Sequence, residues 1–271
     1  MKVTALVENT SEKGLPVEHG LSLYIERNNG QKLLFDLGQG DLFAENAKRL
    51  GCPIDTVDLC IVSHGHYDHG GGLSTFLGLN QQANVYIHKD AFLPHYSLKD
   101  FGLKYIGLDT SLEHNERLMA CGDHTELGNG ICLFANVHGN CCNPVGNKLL
   151  FGPEKTQNDA FGHEQNLVVQ EGDKTILFAG CAHTGIVNIV NKATETIGHA
   201  PTHIFAGMHL VKSGLPENEE NQFISRLANE LVHFNCKLFT MHCTGKPQYD
   251  KLKALMGERI DYLSCGDSVE L

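Results

Sequence analysis

The chain has 271 residues, of which 41% are hydrophobic and 20% are charged, a composition typical of a globular protein that buries a sizeable core. Its formal net charge of -11 disfavours non-specific nucleic-acid binding, because an acidic surface repels phosphate backbones. No apolar run approaches the roughly 20 residues of a membrane-spanning helix, so no membrane association is expected.

The beginning of the chain predicts strands joined by a tight turn. Residues 2–8 alternate in hydrophobicity as a strand does, and residues 21–26 and 32–36 are also strand-like. The last two flank Asn28-Asn29-Gly30, residue types that tolerate positive φ. A hairpin is therefore predicted at this turn.

A helix and a buried strand are predicted next. Residues 41–50 form the helix, with Asp41 placed to cap or charge its first turn and Gly51 following its end. Residues 57–62 (VDLCIV) are predicted to be a buried strand that runs directly into SHGHYDHGGG, residues 63–72.

The middle of the chain has a weaker pattern. A helix near 73–78 and a strand at 84–88 are predicted. Between residues 90 and 165, Gly, Asn, Pro and His are scattered among short apolar runs, with strands predicted only near 104–107 and 131–137. Long loops and substrate-facing insertions are expected in this region.

Regular alternation of strands and helices returns in the last third. Strands at 166–170 and 174–179 bracket Glu171-Gly172-Asp173, a second hairpin, and a helix is predicted over 186–197. Three more strands and two more helices are predicted, the strands at 202–206, 237–241 and 259–263 and the helices at 217–234 and 247–256. Because no linker divides the chain, residues 1–271 are predicted to form one domain, an α/β sandwich with two sheets inside and helices outside.

The motif His64-x-His66-x-Asp68-His69 is the strongest functional signal. It follows the buried strand 57–62, at the end where α/β proteins place their sites. Residues two apart in an extended turn can point the same way, so His64 and His66 can chelate one cation while Asp68 and His69 turn toward a second. Imidazole and carboxylate together suit Zn, Fe or Mn. A His-rich surface loop is the alternative, and the buried strand before the motif argues against it.

The motif SHGHYDHGGG resembles the signature of the metallo-β-lactamase fold superfamily. The resemblance implies a four-layer αββα sandwich with one or two metals at the edge of the two sheets. Further stretches are similar to the branch named for 7,8-dihydropterin-6-methyl-4-(β-D-ribofuranosyl)-aminobenzene-5′-phosphate synthase. They are EHGLSLYIE (18–26), LLFDLGQG (33–40), EQNLVV (164–169), GCAHTGIVNIV (180–190), GMHL (207–210) and HCTG (242–245).

Two histidines later in the chain are the next candidate ligands. His183 follows the strand 174–179 in a Gly-rich turn before a helix, and His242 ends a strand in the same manner. The resemblance supports His183 as a metal ligand and His242 as the last ligand of the second metal. The alternative for each is a histidine without a metal role.

Cys181 lies where many members of the superfamily place a bridging Asp. A thiolate there can ligate zinc, and a small buried residue beneath the site is an equal alternative. This departure from the family pattern puts the usual carboxylate bridge in doubt. His138 and His163 are further candidate ligands, ranked below His183.

The mouth of the site is predicted from resemblance as well. His209, in GMHL, is expected to face the substrate, with an ordinary surface histidine as the alternative. His19 is assigned to substrate binding on the same ground, and Glu18 and Asn9 are further candidates for lining the mouth. For His19, Glu18 and Asn9, a plain loop role is the alternative.

The ten cysteines predict a reduced protein. A chain of this length does not need disulfides for stability, and Cys60 and Cys132 sit inside apolar runs. The start, MKVTALVENT, contains no signal-peptide core. A cytoplasmic location is therefore expected, and the adjacent pair Cys141-Cys142 is interpreted as part of a loop.

The leading functional hypothesis is a metal-dependent hydrolase. Two divalent ions, most simply zinc with Fe or Mn as alternatives, would share a hydroxide that attacks a phosphate or carbonyl centre of a small substrate. Asp68 would also orient the nucleophile and is the predicted catalytic residue. The expected partner is a small-molecule substrate.

Three other hypotheses remain open. The branch resemblance implies a transferase that condenses a pterin pyrophosphate with an aryl ribose phosphate. Some superfamily members are di-iron oxidoreductases with a flavin-binding partner domain, and this chain has no such extension. In a non-catalytic metal-binding module, protein ligands would saturate the metals and leave no open position.

Overall fold

The computed structural model describes residues 1–211 and 213–271, and its secondary structure is taken from these residues. The strands are β1 (Lys2–Val7), β2 (Ser22–Glu26), β3 (Lys32–Phe35), β4 (Leu59–Val62), β5 (Asn84–His88), β6 (Tyr96–Lys99), β7 (Gly102–Tyr105), β8 (Leu118–Cys121), β9 (His124–Gly128), β10 (Ile131–Phe134), β11 (Leu150–Phe151), β12 (Asn166–Glu171), β13 (Lys174–Ala179), β14 (His203–Ala206), β15 (Lys237–Thr240), β16 (Ile260–Tyr262) and β17 (Ser268–Glu270). The α-helices are α1 (Leu42–Leu50), α2 (Tyr67–Gly70), α3 (Leu73–Leu79), α4 (Ile186–Ile197), α5 (Glu217–Val232) and α6 (Lys246–Met256).

The strands of the described chain form two seven-stranded sheets and one small sheet. The first large sheet has the order β17-β1-β2-β3-β4-β5-β8 and the second β16-β15-β14-β13-β12-β10-β9. In the first, β3, β4, β5 and β8 are mutually parallel, and in the second β13, β14, β15 and β16 are. The small sheet, β11-β6-β7, is a separate three-stranded unit.

Alternating side chains place each large sheet between two apolar layers. On β3, Leu33 and Phe35 enter the core between the sheets, whereas Leu34 faces the outer cluster that contains residues of α1 and α3. On β13, Phe178 faces the inner core and Leu177 faces the outer cluster that contains residues of α4, α5 and α6. The result is the predicted four-layer αββα sandwich, which is confirmed.

The same edge of both sheets collects the carboxyl ends of the parallel strands. β3 and β4 are adjacent in one sheet, and β13, β14 and β15 are adjacent in the other. The residues after these strands meet across the sandwich, since His69 Nε2 lies 3.1 Å from Cys181 Sγ. Gly180 permits this approach, because a Cβ there would overlap Ser63 Oγ.

Both predicted hairpins are present. β2 and β3 pair antiparallel, with Glu26 opposite Lys32 next to the turn. Gly30 of the turn has a φ of 87°. β12 and β13 pair antiparallel with Glu171 opposite Lys174. The helix predicted at 41–50 is α1, although the Asp41 side chain makes no capping hydrogen bond.

The expectation of long loops between residues 90 and 165 holds only in part, for the irregular stretches 135–144 and 152–165. This region contains β6 to β11, and the strand predicted near 104–107 is β7. The strand predicted at 131–137 ends at Phe134. Most residues of β6 and β7 are exposed or only half-buried, so they lack the apolar alternation that marks a strand in the sequence.

Two smaller corrections concern the ends of other segments. The predicted turn at 63–72 contains the one-turn helix α2. The strand predicted at 259–263 is not the last, because β17 follows it and pairs antiparallel with β1. β17 is only three residues long and mostly exposed, too short for a periodic signal.

All ten cysteines are free thiols, and nine of them are buried. This matches the prediction that the fold does not use disulfides. Among residues 1–211 and 213–271, no helix has the length and apolarity needed to cross a membrane.

An ion pair between Arg27 and Glu171 joins the β2–β3 hairpin to the β12–β13 hairpin. Arg27 Nε donates to Glu171 Oε2 at 2.9 Å, with both side chains largely buried. Burial by itself would raise the pKa of Glu171, but Arg27 and the backbone N–H of Asn28 outweigh it and lower that pKa.

The substitution Glu171→Gln is expected to lower the free energy of unfolding at pH 7 by about 1.5–3 kcal/mol, since a charged hydrogen bond is lost. Because the folded-state pKa of Glu171 is lowered, this contribution is present above its unfolded value of 4.5 and disappears as the pH falls below it. Urea unfolding at several pH values checks this. Equal loss of stability at pH 7 and at pH 3 would contradict the assignment.

Candidate metal centre

The turn after β4 carries four of the predicted site residues on buried backbone. His64, His66, Asp68 and His69 are each at most 7% exposed. His64 Nε2 and His66 Nδ1 face each other at 3.0 Å, so the two rings converge on one point. The backbone N–H of Tyr67 donates to Ile106 O at 2.9 Å and holds the turn in place.

Asp36 and Ser63 orient the imidazoles of His64 and His69 from outside the site. Ser63 Oγ donates to Asp36 Oδ2 at 2.8 Å and accepts from His64 Nδ1 at 2.9 Å. His69 Nδ1 donates to Asp36 Oδ2 at 2.7 Å. Both rings therefore keep the unprotonated Nε2 directed into the site, the arrangement that metal-binding histidines require.

His183 and His242 are oriented by the same principle. His183 Nδ1 donates to Asn147 Oδ1 at 3.1 Å, and His242 Nδ1 donates to Asn9 Oδ1 at 2.8 Å. The Nε2 atom of each ring is buried without a hydrogen-bond partner. A buried acceptor nitrogen without a partner is costly unless a ligand satisfies it.

The first half of the site consists of neutral imidazoles. Nitrogens of His64, His66 and His183 lie within 4.8 Å of one another. Burial, assisted by neighbouring histidines, lowers the pKa of each of the three well below its usual range. The rings are therefore unprotonated at neutral pH, which is the form that binds a metal ion.

The second half of the site carries negative charge. Asp68 Oδ2 lies 3.9 Å from His69 Nε2 and 3.5 Å from His242 Nε2. Burial by itself would raise the pKa of Asp68, but His69, His19 and His242 outweigh it and hold that pKa well below its usual range. Asp36 and Asp68 in turn overcome burial and raise the pKa of His69, so this half attracts a positive charge.

Cys181 lies between the two halves. Its Sγ is 3.1 Å from His69 Nε2, and it can form a three-residue metal-binding group with His64 and His69 or with His183 and His209. Burial raises the pKa of its thiol well above the usual range. A thiol in this position can act as a ligand only when a bound cation removes its proton.

Backbone strain is concentrated around the site. Asp36, Ala182, His209 and His242 all have positive φ, between 47° and 63°. Each follows the end of a parallel strand closely. Non-glycine residues in this conformation cost of order 1–3 kcal/mol each and cluster at functional sites.

His163 lies next to the turn that carries the motif, in a second group of possible metal ligands formed with His66, His95 and Asp159. Its Nδ1 accepts the backbone N–H of Gly65 at 2.9 Å, and its Nε2 donates to Asp159 Oδ2 at 3.3 Å. His95 Nδ1 donates to the same Oδ2 at 2.9 Å. His163 therefore remains a candidate ligand that also hydrogen-bonds the turn, whereas His138 is exposed on a loop.

Two further histidines border the site. His19 is exposed, with Nε2 3.3 Å from Asp68 Oδ2, and His209 is half-buried, with its ring 4.4 Å from that of His183. Both line a cavity of about 210 Å³ above the converging groups. Glu18 instead accepts the backbone N–H of Gln39.

The orienting residues were not identified as such from the sequence. Asp36 directly follows β3 at the same sheet edge as the histidine motif, a positional signal that could have marked it. Asn147 and Asp159 lie in the irregular region between residues 90 and 165, where no pattern distinguishes them. From the sequence, Asn9 is predicted only as a candidate for lining the mouth.

Comparisons with known proteins agree with this architecture. The family model of the metallo-beta-lactamase superfamily matches residues 15–203. A solved structure described as a metal-dependent hydrolase of the beta-lactamase superfamily is 30% identical, with a TM-score of 0.81 over 100% of this chain and 99% of its own.

Two relatives from Methanocaldococcus jannaschii are similar over nearly their whole length. An uncharacterized protein is 30% identical over 262 residues, 93% of this chain and 94% of the relative. A protein named 7,8-dihydropterin-6-methyl-4-(beta-D-ribofuranosyl)-aminobenzene-5'-phosphate synthase is 27% identical over 267 residues, 90% of this chain and 88% of the relative.

Proposed function

The chain belongs to the metallo-β-lactamase superfamily, and from this premise we propose that it is a metal-dependent hydrolase of a small phosphate- or carbonyl-containing substrate. The observation that carries the proposal is the common orientation of His64, His69, His183 and His242. An outer partner engages Nδ1 of each ring and leaves Nε2 for the site. This orientation is what a metal centre needs and what an ordinary histidine cluster lacks.

We assign the ligands by the two halves of the site. His64, His66 and His183 would hold one divalent cation, and Asp68, His69 and His242 would hold the second. Cys181 would lie between them, as a ligand or as the residue beneath both. Nitrogen and carboxylate ligands with one thiol favour zinc, with iron or manganese as alternatives.

The residues around the cations would prepare the substrate for hydrolysis. When bound, the cations would supply an activated water at neutral pH and stabilise the negative charge of the transition state. Asp68, whose lowered pKa keeps it ionised, would orient the attacking water. The water oxygen bonds to phosphorus or to the carbonyl carbon, the bond to the leaving group breaks, and a proton passes to the leaving group.

A second candidate function is transfer. It is favoured by the relative that is 27% identical over 90% of this chain and is named as a synthase. Such a reaction would use the same cations to activate a different nucleophile. A di-iron oxidoreductase remains a hypothesis that metal analysis addresses at the same time.

Metal analysis combined with a substrate panel tests the proposal. Protein purified without added metal is analysed by mass spectrometry, stripped with a chelator, and reconstituted separately with Zn, Fe and Mn. We expect about two equivalents of one divalent metal, and metal-dependent cleavage of a phosphoester or a lactone. Full activity of the stripped protein would overturn the proposal. Product formation from a pterin pyrophosphate and an aryl ribose phosphate, without hydrolysis, would favour the transferase.

The substitution Asp36→Asn is expected to weaken metal binding about 10–100-fold, because His69 loses the Asp36 carboxylate that orients its ring. Asn tolerates the φ of 63° at this position, so the backbone is preserved. Titration of metal-free protein with zinc against a competing chelator measures the effect. The exposed Asp55→Asn variant is the control, and equal affinity in both variants would contradict the orienting role.

A further inference from the structure

The β6–β7 hairpin presents a cationic face to the cavity above the metal centre. Ser97 of β6 is directly opposite Lys104 of β7, and Lys99 lies two residues beyond Ser97. Because side chains alternate across a strand, these three share one face and Leu98 and Leu103 share the other. All three line the cavity, whereas Leu98 and Leu103 do not.

The hairpin is connected directly to the ligand-bearing turn. Lys104 Nζ lies 5.6 Å from the ring centroid of Tyr67, the residue between His66 and Asp68. Ile106, just beyond β7, accepts the backbone N–H of Tyr67 and donates its own N–H to His95 O at 2.8 Å. The lysine face is thus placed beside the metal ligands.

Within the described part of the cavity, no carboxylate pairs with Lys104. Among the described residues that line the cavity, Asp68 is the only carboxylate, and His19, His69 and His242 surround it. Lys104 forms no ion pair among residues 1–211 and 213–271. Lys99 and Lys104 thus make this rim locally positive on a chain with net charge -11.

The other residues of the cavity indicate the chemistry of the rest of the ligand. Four apolar residues, Ile106, Leu149, Leu150 and Val211, contribute wall. The polar floor includes His66, Asp68 and His183. A ligand that fits has an apolar body, an anionic group at the hairpin and its reactive bond at the floor.

We propose that Lys99 and Lys104 bind an anionic group of the substrate, a phosphate or a carboxylate, at the rim of the cavity. The proposal rests on the proposed function, because that function places the reacting bond at the metal centre. Lysine ammonium groups act as compact point charges, and they suit an anion that only needs to be held and not cleaved. They would act as specificity residues, and a neutral analogue would lose their contribution.

Calorimetric titration of the metal-loaded protein with three probes tests this. Benzylphosphonate cannot be hydrolysed and carries a phosphate-like group, phenylacetate carries a carboxylate, and benzyl alcohol is neutral. The variants are Lys104→Gln, Lys99→Gln and the double variant, with Lys48→Gln as the control. Lys48 is exposed on α1 and does not line the cavity.

We expect the double variant to bind the preferred anionic probe about tenfold more weakly than wild type, with benzyl alcohol unchanged. The difference between wild type and variant should shrink at 0.5 M salt, because exposed charges are screened. Any direct binding of the probe to the metals is common to wild type and all variants, so it cancels when their affinities are compared. Loss of benzylphosphonate or of phenylacetate affinity identifies which anion the face prefers.

Two results would overturn the inference. One is equal affinity of wild type and the double variant for both anionic probes. The other is absence of anion binding by the metal-loaded wild type. Neither depends on turnover, so metal-independent activity would refute the proposed function without deciding the role of the lysines.

Discussion

Replacement of Asp68 by alanine is expected to lower kcat about 10²–10⁴-fold and to reduce the metal content of the protein. Asp68 is the one residue of the motif that combines a negative charge with contacts to His19, His69 and His242. Its loss would remove both a candidate ligand of the second cation and the group that orients the attacking water. Steady-state kinetics on the substrate found in the panel, with metal content measured on the same sample, checks this.

The control for this prediction is Asp173→Ala. Asp173 is exposed in the turn that precedes β13, at the end of the strand opposite to the site. It should retain the kcat and the metal content of wild type. A second variant, Asp68→Asn, preserves the shape of the side chain and separates charge from packing. Wild-type activity in Asp68→Asn would contradict the role of the carboxylate.

Replacement of Phe178 by alanine is expected to lower the free energy of unfolding by about 3–5 kcal/mol. Phe178 is fully buried between the two sheets, with its ring centroid 5.9 Å from that of Phe35 and 5.0 Å from that of Phe205. Truncation removes apolar area and leaves a cavity that two hydrogen-bonded sheets cannot close. Urea unfolding of metal-free protein measures the effect without the added stabilisation that bound metal gives to the folded state.

The matched control is Phe101→Ala at the tip of the β6–β7 hairpin. Phe101 is 81% exposed, so its removal should change the free energy of unfolding by no more than about 0.5 kcal/mol. Similar losses in the two variants would mean that the interface between the sheets is not the main core. The comparison holds residue type constant and varies only burial.

The superfamily and the position of the centre could be predicted because the signals are local. His64, His66, Asp68 and His69 lie within six residues, and the buried strand before them is marked by a continuous apolar run. The predicted hairpin at Asn28-Asn29-Gly30 is equally local, since a two-strand turn is decided by its own residues.

The sequence signal for a strand was weak where the strand is exposed or short. β6 and β7 have mixed exposure, and β17 spans three residues. Their strand conformation depends on pairing with partners that are distant in sequence, which no local pattern reports. No local pattern predicts the cationic face of the β6–β7 hairpin either, because only the pairing of β6 with β7 aligns Ser97 with Lys104.

The sequence by itself determined the superfamily, the layered fold and the residue types that can hold a metal. Only the tertiary structure decided which histidines converge, setting His183 beside His64 and His66, and His163 beside His66, His95 and Asp159. It also brought Asp36, Asn147 and Asn9 to the imidazoles from distant segments. The physical reason is that a ring nitrogen is directed by its hydrogen-bond partner, and that partner is selected by strand pairing and sheet packing rather than by neighbours along the chain.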